Sequence, residues 1–379
     1  MPATGDRITK RKDGLFQGMY TAHTPDGPKR KYVYGRKYGE VAQTLAEAMG
    51  DAARGVVFDA GTLTVGEWLD AWLSDLKPLM GAGKMTYSTY KRYAGIIRKH
   101  LKPALGHRKL KDLNRAEVRK LYASKGDTLS PRTVDYIHIT LQKALSQAVR
   151  DDLIPRNVAA GERPHSTRHV SPDRVKALSP AQVRALLDAA RGTRNEALYV
   201  VALHTGLRQG ELLGLKWSDL DGGKLSVRRA LKIAAQGLDF GPPKNKASRR
   251  SVRLNRTAAA ALRAHRTRQN EERIAAPEWW DGDLVFPNRV GKPMDPNNLY
   301  HREYKPILKC AGLAEHGFTF HALRHTFATA LFARGEHPKK VQSLLGHSSI
   351  TQTMDTYSHL IDDIGGDAVD GLDEAYGSS

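Results

Sequence analysis

Towards its C-terminal end the chain carries LLGHSSITQTMDTYSHL, Leu344 to Leu360, where Tyr357 follows the pair Gly346 and His347 on a stretch of helical periodicity. Upstream, Arg208 and Glu211 stand three apart in HTGLRQGELLGLKW, and His321 and Arg324 stand three apart in TFHALRHTFATALFARG. Paired basic groups beside a tyrosine suit one kind of chemistry, in which a phosphodiester is held while a phenol attacks it. Both obstacles to that attack are electrostatic. A phenol of pKa about 10 is only about 0.1% ionised at neutral pH, and the diester repels an anionic nucleophile. Two guanidinium groups can grip the non-bridging oxygens with planar, multi-donor geometry. They also neutralise the charge that builds at phosphorus, and losing one such donor commonly costs about 100- to 1000-fold in rate. A base must take the phenolic proton and an acid must protonate the departing 5′ oxygen, roles suited to a histidine and a lysine.

Other chemistries find no support. The sequence has no GxxxxGK[ST] loop, no GxSxG elbow and no HExxH helix. His321 and His325, four apart, could share a metal on a helix face, but the glutamate of HExxH is missing. The single cysteine, Cys310, cannot form an internal disulfide or complete a Cys-based zinc site, and it is expected to be inert filler. No cofactor and no metal are therefore expected.

The 379 residues suit two or three domains rather than one core. With 60 Lys and Arg against 40 Asp and Glu, the formal charge is +20 and the pI about 9.9. That imbalance points to a polyanionic partner, nucleic acid first. No run of about 18 apolar residues and no apolar signal segment is present, so membrane attachment is not expected and a cytoplasmic, nucleoid-associated location is.

The elements that must position the reactive residues can be read along the chain. Residues 1–60 hold two alternating runs around Pro25-Asp26-Gly27-Pro28, then a helical pattern from about Glu40: a small β-sheet plus one helix with basic edges, including Lys31 and Arg36. A basic two-stranded ribbon fits a major groove, though it also suits a merely solvated hairpin. Residues 63–160 read as a helical bundle, with Trp68, Leu69, Trp72, Leu73 and Leu76 as core. Ser130 and Pro131 open one of its helices, and Lys91 and Arg92 lie off the apolar face of another. Residues 161–174 look like a linker. From 175 to 365 a mainly helical unit with a small sheet is expected: Ser179 and Pro180 start its first helix, and KLSVRRALKI and SRRSVRL read as strands joined by a loop containing GPPKNKA. A helix capped by Thr319 and closed by Gly335 should bury Phe320, Leu323, Phe327 and Leu331, leaving His321 and Arg324 on the adjoining edge. Residues 366–379 form an acidic tail, a protein contact or disordered. The fold class is thus multidomain and mainly α with small β-sheets.

In order and spacing, TGLRQGELLGLKW, HALRHTFAT and LLGHSSITQTMDTYSH resemble the boxes of the tyrosine recombinases, the phage-integrase family. The resemblance implies that Arg208 and Arg324 clamp the scissile phosphate, Glu211 braces Arg208, His321 is general base, His347 hydrogen-bonds a phosphate oxygen and Tyr357 is the nucleophile. Lys244 in PPKNKASRR is similar to the family's general-acid lysine; Lys246 is the alternative, and Asn245 stands where the family more often has Thr. It further implies a core-site-binding bundle, an arm-site-binding N-terminal module and a mixed α/β catalytic domain. The expected activity is site-specific recombination through a 3′-phosphotyrosine link, integrating or excising a mobile element, viral genomes included. The implied partners are duplex attachment sites, a homotetramer on DNA, and possible host bending and excision directionality factors. Three other readings stay compatible: a chromosome-dimer resolvase, a type IB topoisomerase-like enzyme, and a catalytically silent DNA-binding regulator.

Overall fold

The computed structural model describes residues 8–12, 14–24, 27–53, 63–164, 176–243 and 246–362, and the chain divides into two compact units, residues 1–170 and 171–379.

In the first unit β1 (Thr9–Lys10), β2 (Phe16–Thr24) and β3 (Gly27–Gly35) form an antiparallel sheet in that order, with Phe16 opposite Gly35 and Thr24 opposite Gly27. Helix α1 (Tyr38–Ala53) covers one face through buried Val41 and Leu45. The side-chain alternation of a strand then puts Tyr32 and Tyr34 together on the other face, where both are exposed and stack at 6.4 Å.

The bundle follows as α2 (Val65–Gly81), α3 (Tyr87–Ile96), a π turn at Ile97–Leu101 that runs into α4 (Lys102–Leu105), α5 (Arg115–Gly126) and α6 (Pro131–Arg150). Local chemistry starts each long helix. Thr64 and Glu67 cap α2 reciprocally, Asn114 and Glu117 do the same for α5, and Ser130 caps α6 ahead of Pro131 as expected. The apolar stripes meet in one core that includes Leu69, Ile97, Leu101, Val118, Ile137 and Leu141. Trp68 spans it and donates its indole N–H to the Ala144 carbonyl at 3.0 Å; Leu73, expected inside, is only partly buried.

In the second unit α7 (Pro180–Ala190) starts at a Ser179–Gln182 capping box, and α8 (Glu196–Thr205) is apolar nearly all round because it runs through the core. Then come α9 (Gln209–Leu213), β4 (Leu220–Asp221), β5 (Lys224–Ser226), β6 (Ala230–Ala234), β7 (Gly237–Gly241) and β8 (Ser251–Arg253). The helices α10 (Arg256–Ala275), α11 (Pro296–Asn298), α12 (Lys305–Cys310), α13 (His321–Phe332), α14 (Pro338–Leu345) and α15 (Ile350–Asp362) complete it.

Three local expectations need correction. KLSVRRALKI is not one strand: Lys224–Ser226 pairs with β8, whereas Ala230–Ala234 pairs with β7 in a separate ribbon. The break falls at Arg228 and Arg229, both drawn to the buried Asp219 carboxylate, Arg229 at 2.5 Å and Arg228 at 3.7 Å. Helix α13 has no side-chain cap from Thr319, and its buried residues are Ala322, Leu323, Arg324, Thr326, Ala328 and Phe332; Phe327 and Leu331 are only partly covered. Cys310 is exposed rather than filling a core. Among the described residues no helix is long and apolar enough to cross a membrane.

Candidate active site

Two glycines shape the backbone that the arginines grip. Gly206 ends α8 and Gly346 ends α14, both with left-handed φ of about 62 to 63°. A Cβ on Gly206 would lie 2.3 Å from the Phe327 ring, and one on Gly346 would lie 2.9 Å from the Arg250 guanidinium and 3.0 Å from the Ala247 carbonyl. Neither site tolerates a side chain. The carbonyls of both turns therefore point where cations can reach them.

Arg324 is 2% exposed and donates to the Gly206 carbonyl at 2.7 Å and the Leu345 carbonyl at 2.6 Å. Arg208 stands just before α9; it donates to the Gly346 carbonyl at 3.3 Å and to Ser248 Oγ at 3.2 Å. The two guanidinium groups thus end on neighbouring carbonyls of one turn, Leu345 and Gly346, directly before His347. Burial, then the positive charge of Arg208 and Arg250, lowers the Arg324 pKa to about 9, so the cation is crowded but retained at neutral pH.

Glu211 makes this crowding tolerable. Its 3% exposed carboxylate accepts from the Arg208 guanidinium at 2.9 Å and the Arg208 backbone N–H at 3.0 Å, and from Arg250 at 3.0 Å. Burial raises its pKa, but the Arg250 charge and hydrogen bond, with the Arg208 contacts, outweigh that and leave it below the usual carboxylate range. Arg250 also donates to the Leu344 carbonyl at 2.6 Å and the Ser248 carbonyl at 3.1 Å, tying the β8 approach to the end of α14.

The histidines surround this clamp. His347 is buried, with Nδ1 at 2.9 Å from Thr353 Oγ1; desolvation, then Arg324, Arg208, His321 and Arg250, lowers its pKa to about 3. His321 has an exposed edge, yet its pKa also falls, first through desolvation by the surrounding wall and then through His325, Arg324 and Arg208. Each imidazole is neutral at pH 7 and able to accept a proton. Tyr357 is 1% exposed, packed with Ala328, Phe332, Val341 and Leu345, and its hydroxyl lies 2.7 Å from Nδ1 of His325 rather than against His321. Burial raises its pKa, with Arg324 acting the other way. In this arrangement the phenol is covered, not displayed.

The structure therefore brings Arg208, Glu211, His321, Arg324, His347 and Tyr357 into one region of the second unit. Lys244 lies outside the described residues, as does the side chain of Lys246, and residues 165–174 of the expected linker and the tail 366–379 also lie outside them. Lys91 and Arg92 are exposed on α3, with Arg92 stacked 4.7 Å above the Tyr136 ring; Arg36 is exposed, and the side chain of Lys31 is outside the described set. Among the described residues no cluster of three or more His, Cys, Asp or Glu could hold a metal ion. Sequence reasoning missed Arg250, Ser248, Thr353 and His325 as members of the site. Only His325 carries a signal, its spacing from His321, and that spacing by itself suggests a metal pair.

Comparison with known proteins agrees with this architecture. Residues 176–363 match the phage integrase family and residues 64–125 its N-terminal SAM-like domain. A tyrosine recombinase XerC-like protein of Caldanaerobacter subterraneus subsp. tengcongensis is 30% identical over 92% of both chains, and an integrase of Streptomyces ambofaciens is 32% identical over 89% of this chain and 88% of its own. In fold, the chain is similar to the Tn1549 transposon integrase in complex with a circular intermediate DNA (TM-score 0.65, 24% identity, 78% of this chain and 95% of that one). It is also similar to a lambda integrase tetramer bound to a Holliday junction (TM-score 0.57, 19% identity, 93% and 98%). The chain belongs to the phage integrase family and is a site-specific tyrosine recombinase, an enzyme that cuts and rejoins DNA strands.

Proposed function

We propose that this recombinase integrates and excises a mobile element at duplex attachment sites, with Tyr357 as nucleophile. The observation that carries the reading is the meeting of Arg208 and Arg324 at the carbonyls of Leu345 and Gly346, beside His347 and on the same unit as the tyrosine. A phosphate there receives two guanidinium groups and an imidazole. Tyr357 Oη attacks phosphorus, its proton passes to neutral His321, and the 5′ oxygen leaves with a proton from Lys244, or from Lys246 two residues on. The bond energy is kept in the 3′-phosphotyrosine ester, and a 5′ hydroxyl from another strand reverses the step. Two duplexes with two cuts each call for four active sites, which favours a homotetramer on DNA, as in the lambda integrase assembly.

The exposed pair Tyr32 and Tyr34, with Arg11 5.5 Å over the Tyr34 ring and basic residues along the same ribbon, favours an arm-site role for residues 1–60 over a plain solvated hairpin. That module sets an element's integrase apart from a chromosome-dimer resolvase. Residues 63–160 would then bind the core site.

A nicked suicide substrate tests the chemistry. Wild type should accumulate a covalent protein–DNA adduct and Tyr357→Phe none, with duplex binding kept. No adduct in wild type would leave a silent DNA-binding regulator, and plasmid relaxation without exchange between paired sites would favour a topoisomerase-like enzyme.

A further inference from the structure

Helix α15 is held against the clamp at two points one turn apart, Thr353 Oγ1 on His347 Nδ1 at 2.9 Å and Tyr357 Oη on His325 Nδ1 at 2.7 Å. Thr353 is fully buried and Tyr357 nearly so, its ring 5.5 Å from that of Phe332. His325 follows Arg324 on α13, and its ring meets that of His321 edge to face at 4.7 Å. The histidine nearest the phenol is therefore the one the clamp does not use. A tyrosine at 1% exposure cannot present its hydroxyl to a phosphate on a duplex.

We propose that His325 is a positioning residue that holds the Tyr357 hydroxyl in this sheltered setting, so that α15 must part from α13 before the strand is attacked. This rests on the reading of Tyr357 as the nucleophile. Desolvation, then the Arg324 charge, lowers the His325 pKa to about 4, while burial raises that of the phenol, so both partners stay neutral and the contact is a hydrogen bond rather than a proton transfer. His325 is then a clasp and not the base. Without it the sheltered hydroxyl would lose its partner, which shifts the balance towards the released tyrosine by about 5- to 150-fold.

The test compares His325→Leu, which cannot hydrogen-bond, with His325→Asn, whose side chain keeps a polar atom near the Nδ1 position. Tetranitromethane nitration of Tyr357 in the full chain without DNA, read by peptide mass spectrometry against the exposed Tyr34, reports the clasp directly. Tyr357 should nitrate more slowly than Tyr34 in wild type, at least about 5-fold faster in His325→Leu than in wild type, and near the wild-type rate in His325→Asn. Single-turnover adduct formation on the nicked substrate should rank the three proteins in the same order. Wild-type Tyr357 nitrating as fast as Tyr34, or His325→Leu leaving nitration unchanged, would overturn the clasp. So would loss of the adduct in a folded, DNA-binding His325→Leu, since His325 would then belong to the reaction. Should His325→Leu not fold, the wild-type comparison with Tyr34 and the His325→Asn rate still decide. A wild type that forms no adduct at all sinks the nucleophile reading, whereas nitration judges the clasp separately.

Discussion

The clamp and the tyrosine helix share one site but are built differently. Arg208, Arg324 and Arg250 are fixed by backbone carbonyls and by a buried carboxylate, each guanidinium making at least two contacts. Helix α15 is held by two side-chain hydrogen bonds and an apolar wall. Fixed dipoles need no reorganisation when charge develops at phosphorus, so the clamp gains from rigidity. The nucleophile gains from the reverse: a phenol that is covered cannot cut at the wrong time or place. Electrostatic readiness and delivery of the attacking group are assigned to separate pieces of structure.

The sharpest break in that comparison should come from Arg324→Lys. Lysine keeps a positive charge but cannot bridge the Gly206 and Leu345 carbonyls with a planar fork, and adduct formation should fall by about 100-fold or more. Nitration of Tyr357 should stay near wild type, because that side chain belongs to the other half. A variant that cuts normally would show the fork to be dispensable. Next in size is Glu211→Gln. It leaves Arg250, only 7% exposed, without its carboxylate, and the stability lost at pH 7 should be about 3 kcal/mol by denaturant unfolding. Because the Glu211 pKa is lowered in the fold, its contribution is present above the ordinary value of 4.5 and is lost as pH falls through the folded value. Wild type and Glu211→Gln should therefore converge on acidification below about pH 4.5, and a gap independent of pH would rule out the carboxylate as its source.

Much of this site was legible because its parts are local strings. Arg208 with Glu211, His321 with Arg324, and His347 with Tyr357 each sit within eleven residues or fewer, and the helix starts at Ser130 and Ser179 follow from capping chemistry alone. Arg250 was not legible: its partners Glu211 and Leu344 lie 39 and 94 residues away, so nothing near SRRSVRL announces a role. The split of KLSVRRALKI was hidden differently: Asp219 stands only ten residues before Arg229, but that its carboxylate is buried and draws Arg228 and Arg229 at the break shows only in the fold. His325 shows a third kind of gap. Spacing puts it on a face with His321, but only the path of α15 reveals that its partner is a phenol 32 residues on and not a metal.

A smaller effect, on the clamp side, should come from His347. Its pKa of about 3 lies below the ordinary 6.5, so the folded state binds fewer protons than the unfolded chain between those values. The sign follows: the fold disfavours the protonated imidazole, so stability is at its full value above pH 6.5 and is eroded as pH falls towards 3, at up to about 1.4 kcal/mol per pH unit. His347→Gln should flatten the pH dependence of the unfolding midpoint across that window while leaving neutral stability close to wild type. An unchanged slope would place the acid sensitivity elsewhere, in other histidines whose pKa burial lowers, among them His321, His325, His204 and His265.

The smallest expected change lies outside both halves. Arg92 is exposed and its guanidinium rests over Tyr136, with Arg132 5.9 Å from the same ring, so a flat, cationic surface is presented by α3 and α6. If that surface meets a DNA backbone, Arg92→Ala removes one phosphate contact: core-site affinity should drop by a few-fold, and the slope of log affinity against log salt should shrink by about 1. Adduct formed per bound complex should not change, because neither the clamp nor the tyrosine helix is touched. A fall in cleavage at saturating protein would mean that the bundle reports to the active site, and the separation of roles drawn above would have to extend into the first unit.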